Sequence, residues 1–307
     1  MTRFKIICFY HPSSVVIVDD NAEFLENLPE NLSNQSKYTL FDSPETALTY
    51  LETQNKASLM QDDFSGKTED FATGRSLNIN FPKIRSLAKN TNRFEVPLVI
   101  IVDYDMPQMN GLEFCQKLSG QHKKIMLTAA ADHKLAVQAF NDNIIDKFIA
   151  KDDPHIFEKI DKAVDELQKS YFAALSTPIV KELSATASFL VNPIFQAFLN
   201  NIIQKNNVTE FYLADAMGSF ILVNDKNELF WLSVQSDQQI ENYLSIFQDE
   251  DNAPKEIVNA LRQKEKLLCL FSEEDFNQPF ENWGNYLYPA HKIEGLNYAY
   301  YAFMKMI

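Results

Sequence analysis

At 307 residues, with 28 Lys+Arg against 42 Asp+Glu and a net charge of −14, the chain is long enough for two domains and too acidic to be held on a polyanion by charge alone. No apolar stretch is long enough to cross a bilayer, and the amino terminus lacks a signal-peptide pattern. The three cysteines (Cys8, Cys115, Cys269) stand in no metal-ligand spacing, which suits reduced core thiols in a cytoplasmic protein.

Four short β-branched or apolar runs, each read as a buried parallel strand, stop abruptly at a polar residue. Val15-Val16-Ile17-Val18 ends in Asp19-Asp20, and Val99-Ile100-Ile101-Val102 ends in Asp103. Ile125-Met126-Leu127 ends in Thr128, and Phe148-Ile149-Ala150 ends in Lys151. Helical patterns lie between the runs, which argues a doubly wound α/β sheet of parallel strands. The carboxyl ends of such strands share one edge, so Asp19, Asp20, Asp103, Thr128 and Lys151 should converge there. Three carboxylates in one small site repel one another, which suits a hard cation such as Mg2+. A lysine and a hydroxyl beside them suit phosphoryl oxygens.

One connection is too long. Ser43-Pro44 is a good start for a helix over roughly 44–53, and the strand near residue 97 should follow closely. Instead an insertion of about forty residues, 54–94, intervenes. Its first part, 55–78, is polar, with Asp62-Asp63, Ser65-Gly66 and Thr73-Gly74. Its second part spaces Ile79, Phe81, Ile84, Leu87 and Phe94 as a helix with one apolar face would. Two uses are open: a lid over the edge of the parallel sheet, or a docking surface for a partner or for the C-terminal domain.

The acidic pair Asp19-Asp20, the stretch Asp103-x-x-Met106-Pro107-x-Met109-Asn110-Gly111, Leu127-Thr128-Ala129 and Phe148-x-x-Lys151 together resemble the receiver domain of a two-component response regulator. The resemblance implies a five-stranded flavodoxin-like sheet over residues 1–170 and a phosphoryl group accepted onto Asp103 from a sensor histidine kinase. It further implies Mg2+ held by Asp20, Asp103 and the backbone carbonyl of Asp105, with Asp19 helping through a water. Lys151 and Thr128 would bind the phosphoryl oxygens, and Phe148 would be a switch aromatic. The output face would lie around residues 132–168. Such a receiver promotes only its own phosphorylation and dephosphorylation. In one respect the chain departs from that pattern: the lysine is followed by Asp152-Asp153-Pro154, where the family usually has proline directly.

The remainder is expected to hold a helix over about 154–173, then a helical connector within 171–205 broken at Pro193. An α+β domain over 206–307 follows, with five or six antiparallel strands and two helices inserted midway. By element order alone it is of the PAS or roadblock kind. Asn224-Asp-Lys-Asn227 reads as a hairpin turn between two of those strands. Residues 171–307 hold 9 Lys+Arg against 17 Asp+Glu, and Arg262 is their one arginine. That balance argues against nucleic acid as the target of this domain. The leading reading is output through protein contacts, including homodimerisation. An unrecognised enzyme or small-ligand sensor in the C-terminal domain ranks second, and an unphosphorylated scaffold third.

Overall fold

A computed structural model describes residues 7–33, 36–57, 64, 66–70, 75–129, 133–248 and 254–306. Of the expected polar insertion, Asp62-Asp63, Ser65 and Thr73-Gly74 lie outside the described residues.

In chain order the elements are β1 (Phe9–Tyr10), β2 (Ser14–Val18), α1 (Ala22–Asn31), β3 (Tyr38–Phe41) and α2 (Pro44–Ala57). Then come β4 (Thr68–Asp70), β5 (Arg75–Leu77), α3 (Phe81–Leu87), β6 (Pro97–Asp103), α4 (Gly111–Lys117), β7 (Lys123–Thr128), α5 (His133–Asn141) and β8 (Lys147–Ala150). The long helix α6 (Ile156–Leu183) leads to α7 (Pro193–Lys205), β9 (Val208–Leu213), β10 (Phe220–Asn224) and β11 (Leu229–Ser236). The chain continues through α8 (Asp237–Gln248), α9 (Lys255–Arg262), β12 (Lys266–Leu268), α10 (Glu273–Phe276), β13 (Leu287–Pro289), β14 (His291–Ile293) and β15 (Leu296–Lys305).

These elements form two compact units, and neither is continuous in sequence. One comprises residues 11–63 and 90–174; the other comprises 1–10, 64–89 and 175–307. The first unit is the expected doubly wound sheet, five parallel strands in the order β3-β2-β6-β7-β8. Every residue of β2 and β6 is buried, as predominantly apolar strands covered on both faces require. One face packs Val15, Ile17, Val99 and Ile101 against Leu25 and Leu28 of α1 and Ile160 and Val164 of α6. The other packs Val16, Ile100 and Val102 against Ala47 and Leu51 of α2 and Phe114 of α4. The order reverses direction between β2 and β6, and such a switch point opens a crevice at the carboxyl ends of the strands.

The second unit is built on a six-stranded antiparallel sheet, β1-β9-β10-β11-β15-β14, with a separate β12-β13 pair. Asn227 adopts φ 58° in the expected turn between β10 and β11, and its N–H reaches the Asn224 carbonyl at 3.0 Å. Side chains alternate across a strand, so Tyr300 and Tyr301 serve opposite faces. Tyr300 is buried with Ile240, Leu244, Ile257 and Trp283, while the Tyr301 ring lies 4.7 Å from Phe198 of α7.

Of the two uses open to the insertion, docking on the C-terminal domain has direct contacts: the described residues of 64–89 group with the antiparallel unit, where α3 packs against β9 and Arg85 donates to the Ala214 carbonyl at 2.8 Å. Two expectations are corrected here. Residues 7–10 leave the expected 1–170 domain, because Phe9 and Tyr10 pair with Tyr212 and Phe211 as a sheet edge. Residues 171–205 are not a separate connector. α6 runs unbroken past Pro178 to Leu183, and α7 seats Phe195 against Phe220 inside the antiparallel unit.

Candidate functional site

The strand registers carry the predicted residues to one edge. Val18 lies beside Val102, Asp103 beside Leu127, and Thr128 beside Ala150, so the residues that end β2, β6, β7 and β8 form one row. Asp19 and Asp103 are buried, and Asp20 is exposed at the rim. One carboxylate oxygen from each of the three lies within 4.8 Å of the others. Lys151 enters this acidic group directly. Its Nζ approaches the two Asp19 oxygens at 2.9 and 2.7 Å and Asp103 Oδ1 at 3.3 Å.

The electrostatics follow from that crowding. Burial, then the negative charge of Asp19, pushes the Asp103 carboxyl up to about 6, and Lys151 only partly offsets them. Burial alone would lower the lysine, but its hydrogen bond to Asp19 and the two carboxylate charges hold it above the ordinary lysine range. The site therefore holds a fixed cation and a carboxylate whose charge is poorly compensated.

Local structure fixes both groups. The Lys151 N–H donates to the Thr128 carbonyl at 2.8 Å, and the Tyr104 N–H donates to the Leu127 carbonyl at 2.9 Å. Asn110 caps α4 through the Glu113 N–H, and the Gly111 N–H donates to the Tyr104 carbonyl at 2.9 Å. A Cβ at Gly111 would stand 2.3 Å from the Asp103 carbonyl oxygen and 3.0 Å from Tyr104 Cα, so this turn closes only around glycine. Met106 and Met109 are buried in the core beneath the loop.

The remaining predicted residues are placed less centrally. Thr128 Oγ1 is buried and has no hydrogen-bond partner among the described residues. Phe148 is half-buried, its ring edge-on to Phe140 at 6.4 Å. Asp105 is exposed, and its carboxylate is outside the acidic trio. Asp153 accepts the His155 N–H at 2.9 Å and forms an ion pair with Lys159, so it serves the start of α6; Asp152 is exposed.

Sequence reasoning missed a set of residues next to the lysine. Asn21 donates its N–H to Asp19 Oδ1 at 2.9 Å and caps α1 by accepting the Phe24 N–H at 3.1 Å. That cap brings the Phe24 ring to 5.1 Å from Lys151 Nζ, and Phe24 stacks on Phe157 of α6 at 6.3 Å and 15°. An asparagine directly after the acid pair was the available signal, but nothing local to residue 24 shows that residue 151 comes near it.

The family model for the response regulator receiver domain matches residues 80–164. The match leaves out β2 and its acid pair, which the insertion separates from the rest. The chain is similar over its whole length to the solved structure of the Legionella pneumophila response regulator LqsR, at 29% identity, covering 100% of this chain and 91% of that one with a TM-score of 0.77. It is also similar to an adenylate cyclase structure from Rhodopirellula baltica, at 24% identity over 55% of this chain and 96% of that chain, with a TM-score of 0.37. An uncharacterized protein from Neptuniibacter caesariensis is 19% identical over 55% of this chain and 96% of that chain, with a TM-score of 0.36. No curated protein matches the chain.

Proposed function

Because this chain carries a response regulator receiver domain, we propose that it accepts a phosphoryl group from a sensor histidine kinase onto Asp103 and signals through protein contacts, those of its antiparallel unit and, for self-association, those of α5 in the parallel-sheet unit. The observation that supports this most directly is Lys151, whose ammonium lies within 3.3 Å of Asp103 and pairs with Asp19 at the switch point of the sheet.

In the proposed step a carboxylate oxygen of Asp103 attacks the phosphorus of a phosphohistidine. The new O–P bond forms as the P–N bond breaks, and its electron pair returns to the imidazole nitrogen. Lys151 pairs with the phosphoryl oxygens where charge accumulates. Thr128, whose hydroxyl is buried and has no partner among the described residues, supplies a hydrogen bond to the product. The residues fit a hard divalent cation, since three carboxylates converge within 4.8 Å and the ionisation of Asp103 is held back by burial and by Asp19. Asp19, Asp20, Asp103 and the backbone carbonyl of Asp105 would hold Mg2+, which when bound supplies charge that offsets repulsion between the carboxylate and the incoming phosphoryl group.

Two features support output by protein contact. Leu135, Val137 and Phe140 of α5 are exposed while the small Ala136 and Ala139 are buried, so this helix turns its larger apolar side chains outward. The excess of acid over base in residues 171–307 disfavours nucleic acid as the output target. No helix among the described residues is long and apolar enough to cross a membrane. The test is incubation of the protein and its Asp103→Asn variant with acetyl phosphate and Mg2+, followed by intact mass and light scattering. One phosphate adduct on the wild type alone supports the reading, and a change in size identifies self-association as its output. Equal modification of both proteins, or of neither, overturns it.

A further inference from the structure

A lysine that must trade carboxylate partners for phosphoryl oxygens needs something else to keep its head group in place. Asp19 and Asp103 hold the Lys151 ammonium now, yet a phosphoryl group on Asp103 changes both contacts. The Phe24 ring, 5.1 Å from Nζ, is a partner which that exchange does not consume. The ring is itself well fixed. Its backbone is tied to the site through Asn21, which bonds Asp19 on one side and caps the Phe24 N–H on the other. The ring stacks on Phe157 in the first turn of α6, and both rings pack on the core formed by Leu25, Ile156 and Ile160. The ring therefore cannot follow a drifting ammonium, and an aromatic face attracts a cation by its quadrupole.

We propose that Phe24 is a positioning residue for Lys151, holding the ammonium by cation–π attraction at the corner shared by Asp19 and Asp103 while its anionic partners change. The inference deepens the reading of Asp103 as phosphoacceptor and rests on it for its consequence, though the contact between ring and lysine stands without it.

The test replaces Phe24 by 4-fluoro-, 3,5-difluoro- and pentafluorophenylalanine, which drain the ring face of negative potential while nearly keeping its shape. Phe24→Tyr serves as the conservative variant and Phe24→Leu as the apolar control. Two quantities are read: the melting midpoint of the unmodified protein, and the rate of adduct formation with acetyl phosphate and Mg2+. We expect both to fall stepwise with fluorination, the midpoint by about 1–4 °C and the rate by about two- to tenfold across the series, with Phe24→Tyr close to wild type. In a Lys151→Met background the midpoint series should become flat, because the cation is gone. Equal values across the fluorinated series, or the same slope without the lysine, would overturn the proposal and leave Phe24 as packing. If the wild type forms no adduct, the phosphoacceptor reading fails, and the midpoint series with and without Lys151 still decides the role of the ring.

Discussion

Replacing Asp103 by asparagine should stabilise the parallel-sheet unit at neutral pH, and the gain should vanish in acid. The carboxyl is raised from 3.8 to about 6 by burial and by Asp19, so the folded state binds this proton more tightly than the unfolded chain does. The sign follows: ionisation costs nothing below about pH 3, where both states are protonated, grows as pH rises through 3.8 toward 6, and is complete above it. A shift of roughly two units corresponds to about 3 kcal/mol, and solvent screening of a site open at its rim leaves about 1–2 kcal/mol. Asparagine keeps the shape and removes the charge, while Lys151 keeps Asp19 at 2.7 Å. Tryptophan fluorescence will not report the change, because Trp231 and Trp283 both belong to the antiparallel unit. Amide exchange of β6 and β7 in EDTA will, with protection rising about five- to thirtyfold at pH 7.5 and by less than about twofold near pH 3.5. Added Mg2+ should then raise protection in the wild type and not in the variant. A variant that is no more stable at pH 7.5, or whose gain is the same at both pH values, would refute the claim that Asp103 ionises against an electrostatic and desolvation cost.

Phe81→Ala empties a fully buried position on α3 and should cost about 3–5 kcal/mol; the tryptophan-detected transition should shift while exchange in β6 stays unchanged. Gly111→Ala forces a Cβ to within 2.3 Å of the Asp103 carbonyl. It should cost about 1–3 kcal/mol and slow adduct formation, with urea denaturation and intact mass as the measurements. Phe140→Asp alters an exposed side chain and should change stability by less than about 0.5 kcal/mol, yet abolish any phosphorylation-dependent change in size seen by light scattering.

The site was legible because its signal is local. Each run of apolar residues in β2, β6, β7 and β8 ends abruptly at a polar residue, and a parallel sheet has only one edge on which those ends can meet. The loop after Lys151 was harder to read, since Asp152 and Asp153 look alike in sequence; only the structure shows Asp153 committed to His155 and Lys159. The insertion shows how far periodicity reaches. The spacing of Phe81, Ile84 and Leu87 announces a helix with a buried face but not what covers that face, and the answer is β9, more than a hundred residues away in the chain. β1 gives even less away, because a two-residue strand has no period and its pairing with Tyr212 and Phe211 is set entirely by register. The end of the helix expected over about 154–173 was set too early: although a proline usually ends a helix, the buried Ile179 and Leu183 carry α6 past Pro178 to Leu183.

The interleaving of the two units changes what a truncation can mean. The chain passes from one unit to the other after residues 10, 63, 89 and 174, so a cut at 170 divides the sequence without separating the folds. A fragment of residues 171–307 would lose β1, exposing the backbone of Phe211 and Tyr212 as an open sheet edge. It would also lose α3, and with it the Arg85 bond to the Ala214 carbonyl. An uncovered edge of aromatic strand recruits other strands, and the apolar face of β9 left by α3 adds to the effect. The fragment should therefore aggregate, or melt well below the tryptophan transition of the intact chain. A monomeric fragment with the same transition would show that residues 1–10 and 64–89 decorate the antiparallel unit instead of completing it.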